Sequence, residues 1–371
     1  MNFSRINYNT NVYGEISTNG THGDYTSAII GANNDNFKGA VSDCNMYFAN
    51  SSPYYTKSIE WLVDKGCNVI NASILMGYGG VNVYDGFGKW LDSVSQRANV
   101  TIVISSGNSG ENSLCGSAMA YNPIVVGTCN NNGVMNSCSS YVNESDKAYK
   151  PDIAAQGDGA VSYTVNENTG LFRRCSAGGT SSAAPLVTSA VAQLCQYSSL
   201  LMNNPLLVKS ALLNGTAYIG EKNQESSIGD FNAYDRQSGA GILNAYDALK
   251  VFRSMNFLAH SLNNEQTSFE SSLVVSSAKK TVRITACYQK SNYAGSDVTS
   301  IPGVTEVPLI GLEITVTYTG LTNHTYYSRS FTDNKVSVVF EPPKKGTYKI
   351  VVHAINNVCN NESVVLTARS F

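Results

Sequence analysis

The hydrophobic periodicity of the chain changes once, near residue 255, and that change limits the fold more than any other feature. Before it, VTIVIS (100–105) and PIVVG (123–127) are short, continuous apolar runs, the pattern of strands covered on both faces. Between such runs lie helical patterns. TKSIEWLVDKG (56–66) is one, and AAPLVTSAVAQLCQYSSLL (183–201) is apolar on most faces, which predicts a central helix. Strands alternating with helices predict an α/β fold built on a parallel sheet flanked by helices. From about 265 the period becomes two. In GLEITVTYTG, Leu312, Ile314, Val316 and Tyr318 alternate with Glu313, Thr315, Thr317 and Thr319, as a half-buried strand requires. KVSVVFE, TYKIVVHA and SVVLTARS continue the theme, with the turn EPPKKGT between the first two. These segments predict a C-terminal all-β sandwich. The chain of 371 residues thus divides into an α/β domain, 1–254, and a β-sandwich, 255–371, at a size ordinary for two domains.

Charge excludes some partners. Lys plus Arg is 25 and Asp plus Glu 27, a formal net charge of −2, so nothing draws the chain electrostatically to nucleic acid or an anionic membrane. No apolar run approaches the length of a membrane span, and the first 20 residues hold no apolar signal-peptide core. Localisation, secreted or cytoplasmic, stays open. Nine scattered cysteines without a CxxC read as mostly reduced, buried thiols rather than a disulfide framework or a zinc site. Only four histidines occur, at 22, 260, 324 and 353. A His-dependent site in the α/β domain therefore has to use His22.

Three loops carry chemistry. THGDYTSAIIGA (21–32) opens a helix with a His-Gly pair. VISSGNSG (103–110) ends a buried strand in a Gly-rich loop presenting Asn108, whose amide can donate to a developing oxyanion. CSAGGTSSAAPLV (175–187) places Ser181 after two glycines, just inside a helix N-terminus. Gly178 and Gly179 permit a tight backbone approach, Pro185 is expected in the first helical turn, and the helix dipole favours negative charge near Ser181. A serine so placed becomes a nucleophile once an imidazole takes its proton. Taken singly, each loop also reads as an ordinary turn or cap. Their order and spacing make the combination specific.

The combination resembles the subtilases, the subtilisin-like serine peptidases. HGDYTSAIIGA is similar to the family's HGTxVAGxxAG segment, GNSG to its GNxG oxyanion loop, and GGTSSAAPLV to its GTSxAxPxVAG nucleophile loop. WLVDKGCNVINAS (61–73), YNPIVVGT (121–128), YKPDIAAQG (149–157) and GAGILNAYDAL (239–249) match further family segments in order. The resemblance covers about residues 20 to 250. It implies a subtilisin-like parallel sheet and a serine endopeptidase acting on protein or peptide substrates. Ser181 would be the nucleophile, His22 the general base, and Asn108 with the Ser181 backbone N–H the oxyanion donors. Substrate would lie extended beside residues 71–80, with residues 105–108 as the other wall of the specificity pocket. No cofactor is required on this reading; calcium sites are common in the family, and no Asp-rich loop here compels one. The GTSSA setting of Ser181 disfavours an α/β-hydrolase, and no complete GxGxxG follows a strand to bind a dinucleotide.

Two departures stand out. The family's acid is an Asp at the end of an inner strand, upstream of the His. Here no Asp precedes His22; Glu15 is the only upstream acid, and Asp24 follows His22 by two residues, where a helix turns it elsewhere. Twenty-one residues before the His are too few for that strand and its connection, so the expectation is a peptidase domain that is N-terminally incomplete and lacks the catalytic Asp. The alternative is a catalytically inactive subtilase-like binding or scaffold protein. The second departure is at the substrate edge, where NASILMGYGG sets Ile74, Leu75 and Met76 where the family usually has a Ser-Leu-Gly-Gly run. Bulk there either narrows the pocket or reshapes it for a small residue.

Overall fold

The structure, a computed structural model, describes all residues except 1–5, 9–20, 51–54, 78–80, 167–168, 170–171, 223–231, 255–256, 279, 295–303, 323, 357–360 and 371. Glu15, Cys359 and positions 78–80 of the substrate edge lie outside the described residues.

The α/β part runs β1 (Ile6–Tyr8), α1 (Thr21–Gly31), a short hairpin β2 (Asn33–Asn34) and β3 (Phe37–Lys38), then β4 (Met46–Phe48), α2 (Tyr55–Asp64), β5 (Val69–Ala72), α3 (Gly86–Ala98), β6 (Thr101–Ser105), β7 (Ile124–Cys129) and β8 (Ile153–Gln156). A hairpin of β9 (Ala160–Val165) and β10 (Phe172–Ala177) leads into α4 (Thr180–Tyr197), followed by α5 (Ser199–Met202), α6 (Pro205–Gly215) and α7 (Ala245–Arg253). Strands β5, β6, β7 and β8 form one parallel sheet in that order. Every residue of β6 is buried. Val103 joins the apolar cluster of α4, while Ile102 and Ile104 join the cluster of α2 and α3 on the opposite face. The continuous apolar runs of the sequence are thus the signature of a sheet covered twice. The long helical pattern breaks at Ser198, whose extended backbone separates α4 from α5.

The second part contains β11 (Phe257–Leu262), β12 (Ser268–Val275), β13 (Val282–Tyr288), β14 (Asn292–Ala294), β15 (Val304–Glu306), β16 (Gly311–Tyr318), β17 (Thr325–Ser330), β18 (Lys335–Phe340), β19 (Gly346–Asn356) and β20 (Glu362–Ser370). Two antiparallel sheets, β11-β20-β13-β18 and β12-β19-β16-β17, face each other over one apolar core. β16 alternates as its sequence indicates, with Leu312, Ile314 and Val316 buried. β18 does not: all six of its residues are buried, as are all seven of β13. The outer face of that sheet lies on α6, itself buried along its whole length.

Polar groups fill this junction between the two parts. Asn214 Nδ2 donates to the Thr367 carbonyl at 2.9 Å, and Arg369 pairs with Asp247 at 2.6 Å. Deeper, the Asp152 carboxylate meets Lys150 (2.8 Å), Lys209 (3.3 Å) and, from the sandwich, Lys335 (2.9 Å), which also pairs with Asp333. Burial alone would raise the Asp152 pKa, but the three ammonium groups hold it far below the usual carboxylate range. Burial pushes Lys150 down to about 7 against the pull of Asp152. Among the described residues no helix is long and apolar enough to cross a membrane. Eight described cysteines are free thiols; Cys129, Cys195 and Cys287 are buried and the other five only half-buried.

Candidate active site

The helix α4 begins with a close approach of two loops. Gly179 caps it at φ +73°, and a Cβ there would fall 2.8 Å from Asn108 Oδ1, so both the backbone angle and the contact require glycine. The carboxamide oxygen of Asn108 accepts from the Thr180 N–H at 2.9 Å and from Thr180 Oγ1–H at 3.1 Å. Thr180 Oγ1 in turn accepts from the Gly107 N–H at 3.2 Å. Two donors therefore hold one end of the Asn108 amide, and its NH₂ donates to no described residue. This is the orientation an oxyanion donor needs: the acceptor end is engaged and the donor end is free beside the N-terminus of a helix.

Ser181 lies on the first turn of α4, half-buried. Pro185 is the sixth residue of this helix rather than a first-turn residue, which corrects the expectation from sequence. Having no N–H, it leaves the Ser181 carbonyl without its helical donor. The Ser73 hydroxyl takes that place, donating to the Ser181 carbonyl at 3.0 Å, and Ser181 Oγ donates weakly to the Ser73 carbonyl at 3.4 Å. Ser73 follows β5 directly and also accepts from Asn71 Nδ2 at 3.0 Å. It is a site residue that sequence reasoning did not single out; the paired signal was a proline four residues after the serine and a serine at the end of the substrate-edge strand.

His22 is the second residue of α1. Its ring stands edge-on to Tyr25, centroids 5.0 Å apart, and reaches solvent at the rim of the site. Partial desolvation by the surrounding protein lowers its pKa below 6.5. The ring makes no hydrogen bond to Ser181 or to any other described residue. Asp24 turns away toward β9, accepting from Thr164 Oγ1 at 3.2 Å. His22 and Ser73 share the lining of one cavity of about 1370 Å³, whose walls come from α1, α2, α4, β4 and β5. β4 pairs only with β1, and β5 only with β6. The cavity thus lies between β4 and β5, which belong to different sheets. Asn108, Ser181 and Ser73 come together; His22 shares the cavity lining with Ser73 and hydrogen-bonds to none of the three. Among the described residues no group of three His, Cys, Asp or Glu side chains converges to hold a metal ion.

Comparison with known proteins bears on this arrangement. Residues 2–241 match the sequence profile of the subtilase family. The chain belongs to the subtilase family. Solved structures similar to this subtilase include the prenylagaramide maturation protease PagA, at TM-score 0.51 and 23% identity over 67% of this chain and 87% of that one. A mutant of the protease domain of PatA gives TM-score 0.54 at 20% identity, covering 68% and 90%. The patellamide maturation protease PatA gives 0.50 at 21%, covering 68% and 91%. These likenesses establish the fold, a subtilisin-like parallel sheet with flanking helices, here followed by the antiparallel sandwich. No curated protein matches the sequence.

Proposed function

We propose that this subtilase is a serine endopeptidase in which Ser181 attacks the scissile carbonyl, His22 takes its proton, and Asn108 with the Ser181 N–H binds the oxyanion. The observation that carries the reading is the Asn108 amide, fixed by Thr180 with its donor end free beside Ser181. Attack forms the Ser181 Oγ–C bond. The tetrahedral oxygen then accepts from Asn108 Nδ2 and the helix N-terminus, and collapse expels the amine, which receives the proton from His22. Water, deprotonated by His22, releases the acyl group. The edge after β5 suits an extended substrate. The backbone N–H and C=O of Leu75 bond to no described residue, as an edge that pairs with a peptide strand requires. The acid of the triad is missing from the described residues. In the family it ends a strand inside the sheet, and the opening between β4 and β5 is where such a strand would bring a carboxylate to His22.

Without that carboxylate the imidazole is neither oriented nor stabilised as a cation, a loss of about 10⁴ in kcat in serine proteases, subtilisin among them. The second reading, a non-catalytic binding or scaffold protein, is favoured by one observation: the His22 ring has no hydrogen bond to Ser181. Incubation of the purified chain with internally quenched peptides separates the two. The peptidase reading expects slow internal cleavage that disappears in Ser181→Ala. A folded chain that cleaves no peptide, or cleaves equally well as Ser181→Ala, overturns it.

A further inference from the structure

The segment leaving β5 is held rigidly. Met76 accepts from the Ser117 N–H at 2.8 Å through its carbonyl, and its N–H donates to Ser117 Oγ at 2.9 Å. Leu75, between Ser73 and Met76, packs into two apolar clusters, one with Trp90 and Ile104 and the other with Leu114 and Val125. Its Cδ1 reaches across to the loop leaving β6 and lies 3.1 Å from the point where a Cβ on Gly107 would stand. β5 and β6 are adjacent parallel strands with Ala72 opposite Ile104, so the loops after them form the two walls of one crevice. Leu75 bridges those walls.

A carbonyl held between Ser181 Oγ and the Asn108 amide sits over the mouth of this crevice, because Ser181 contacts Ser73 and Asn108 follows Gly107. The side chain on the acyl side of that carbonyl therefore points into the space that Leu75 occupies. We infer that Leu75 is the specificity-determining residue of this site and that it restricts the residue donating the scissile carbonyl to glycine, alanine or serine. The inference rests on the roles proposed above for Ser181 and Asn108, and it adds the substrate class: peptides cut after a small residue. A leucine in the neighbouring clusters does not swing aside freely, since close-packed interiors give way only at a cost.

Equilibrium titration of the full chain with two acetylated tetrapeptide acids tests this without requiring turnover. The peptides are identical except for a C-terminal alanine or phenylalanine. Alanine is expected to bind at least about tenfold more tightly, the scale on which apolar pockets discriminate by size. Leu75→Ala is expected to close or reverse that gap. Leu75→Val, which keeps most of the packing, gives an intermediate ratio and serves if Leu75→Ala fails to fold. Equal affinities, tighter binding of the phenylalanine acid by the unaltered chain, or no binding of either peptide overturns the inference. A small alkyl fluorophosphonate run in parallel separates the two levels. Label at Ser181 with indiscriminate peptide binding sinks the pocket alone, whereas discrimination without label at Ser181 sinks the catalytic reading alone.

Discussion

A carboxamide stabilises an oxyanion only if its NH₂ end faces the developing anionic oxygen, and Thr180 leaves that end of Asn108 available by engaging the other through both its N–H and its hydroxyl. Asn108→Ala is expected to lower the rate of covalent labelling at Ser181 by roughly 10²–10³. Thr180→Val, which keeps the shape and the backbone donor, is expected to fall between that variant and the unaltered chain; comparison of second-order labelling rates checks both. On the proposed roles the neutral imidazole of His22 is the base, and partial desolvation lowers its pKa, so labelling is expected to rise with pH and reach its plateau with a midpoint below 6.5. A carboxylate brought against the ring would stabilise the imidazolium and move the midpoint upward. A midpoint above 7 in this chain therefore contradicts an unpaired His22. The same shift makes folding oppose protonation, so His22 removes stability as pH falls through 6.5. Asn108, Ser181 and His22 were legible as candidates because each sits in a motif with a chemical reason for its neighbours, and the structure brings Asn108 beside the start of the Ser181 helix. Ser73 was not, because its role comes from a carbonyl that Pro185 leaves free 108 positions away.

Among elements, the turn into α4 depends on a single glycine. Gly179→Ala places a side chain at φ +73° and 2.8 Å from Asn108 Oδ1. It is expected to cost about 1–3 kcal/mol and to suppress Ser181 labelling by displacing the Asn108 amide, read by denaturant unfolding and by labelling of the folded protein. The helix itself and the buried strands β6 and β7 were readable from apolar runs, since a sheet covered on both faces needs them. Strand β18 was harder. The alternation of KVSVVFE predicts one solvent face, yet Ser337 and, on the neighbouring β13, Arg283 are buried, β13 packing against α6. Arg283 NH1 reaches Thr216 Oγ1 at 2.6 Å, and Thr285 pairs with Ser337 at 3.1 Å. Polar residues that look solvent-facing in a strand are here the hydrogen-bonding side of a junction, which local periodicity does not distinguish from a wet surface.

At the scale of the molecule, the sandwich is tied to the peptidase-type part through buried charge. Lys335 is fully buried and joins Asp333 of its own part to Asp152 of the other. Lys335→Met leaves Asp152 short of one ammonium group, and a loss of about 3–5 kcal/mol is expected. Because α6 buries its length against the sandwich, the unaltered chain is expected to unfold in one transition by fluorescence and circular dichroism. Two separated transitions contradict this coupling. The two-part organisation was visible in the change of period near 255; the charge cluster was not, because Lys150, Asp152, Lys209, Asp333 and Lys335 meet only through the tertiary fold. The central claim, the proposal that Ser181 and His22 work together as nucleophile and base, is open to a direct test. The direct measurement is the rate of fluorophosphonate labelling, mapped by mass spectrometry, in the unaltered chain and in His22→Ala. The account predicts label at Ser181 that slows by orders of magnitude in His22→Ala. Label on another residue, or a Ser181 rate indifferent to His22, contradicts it.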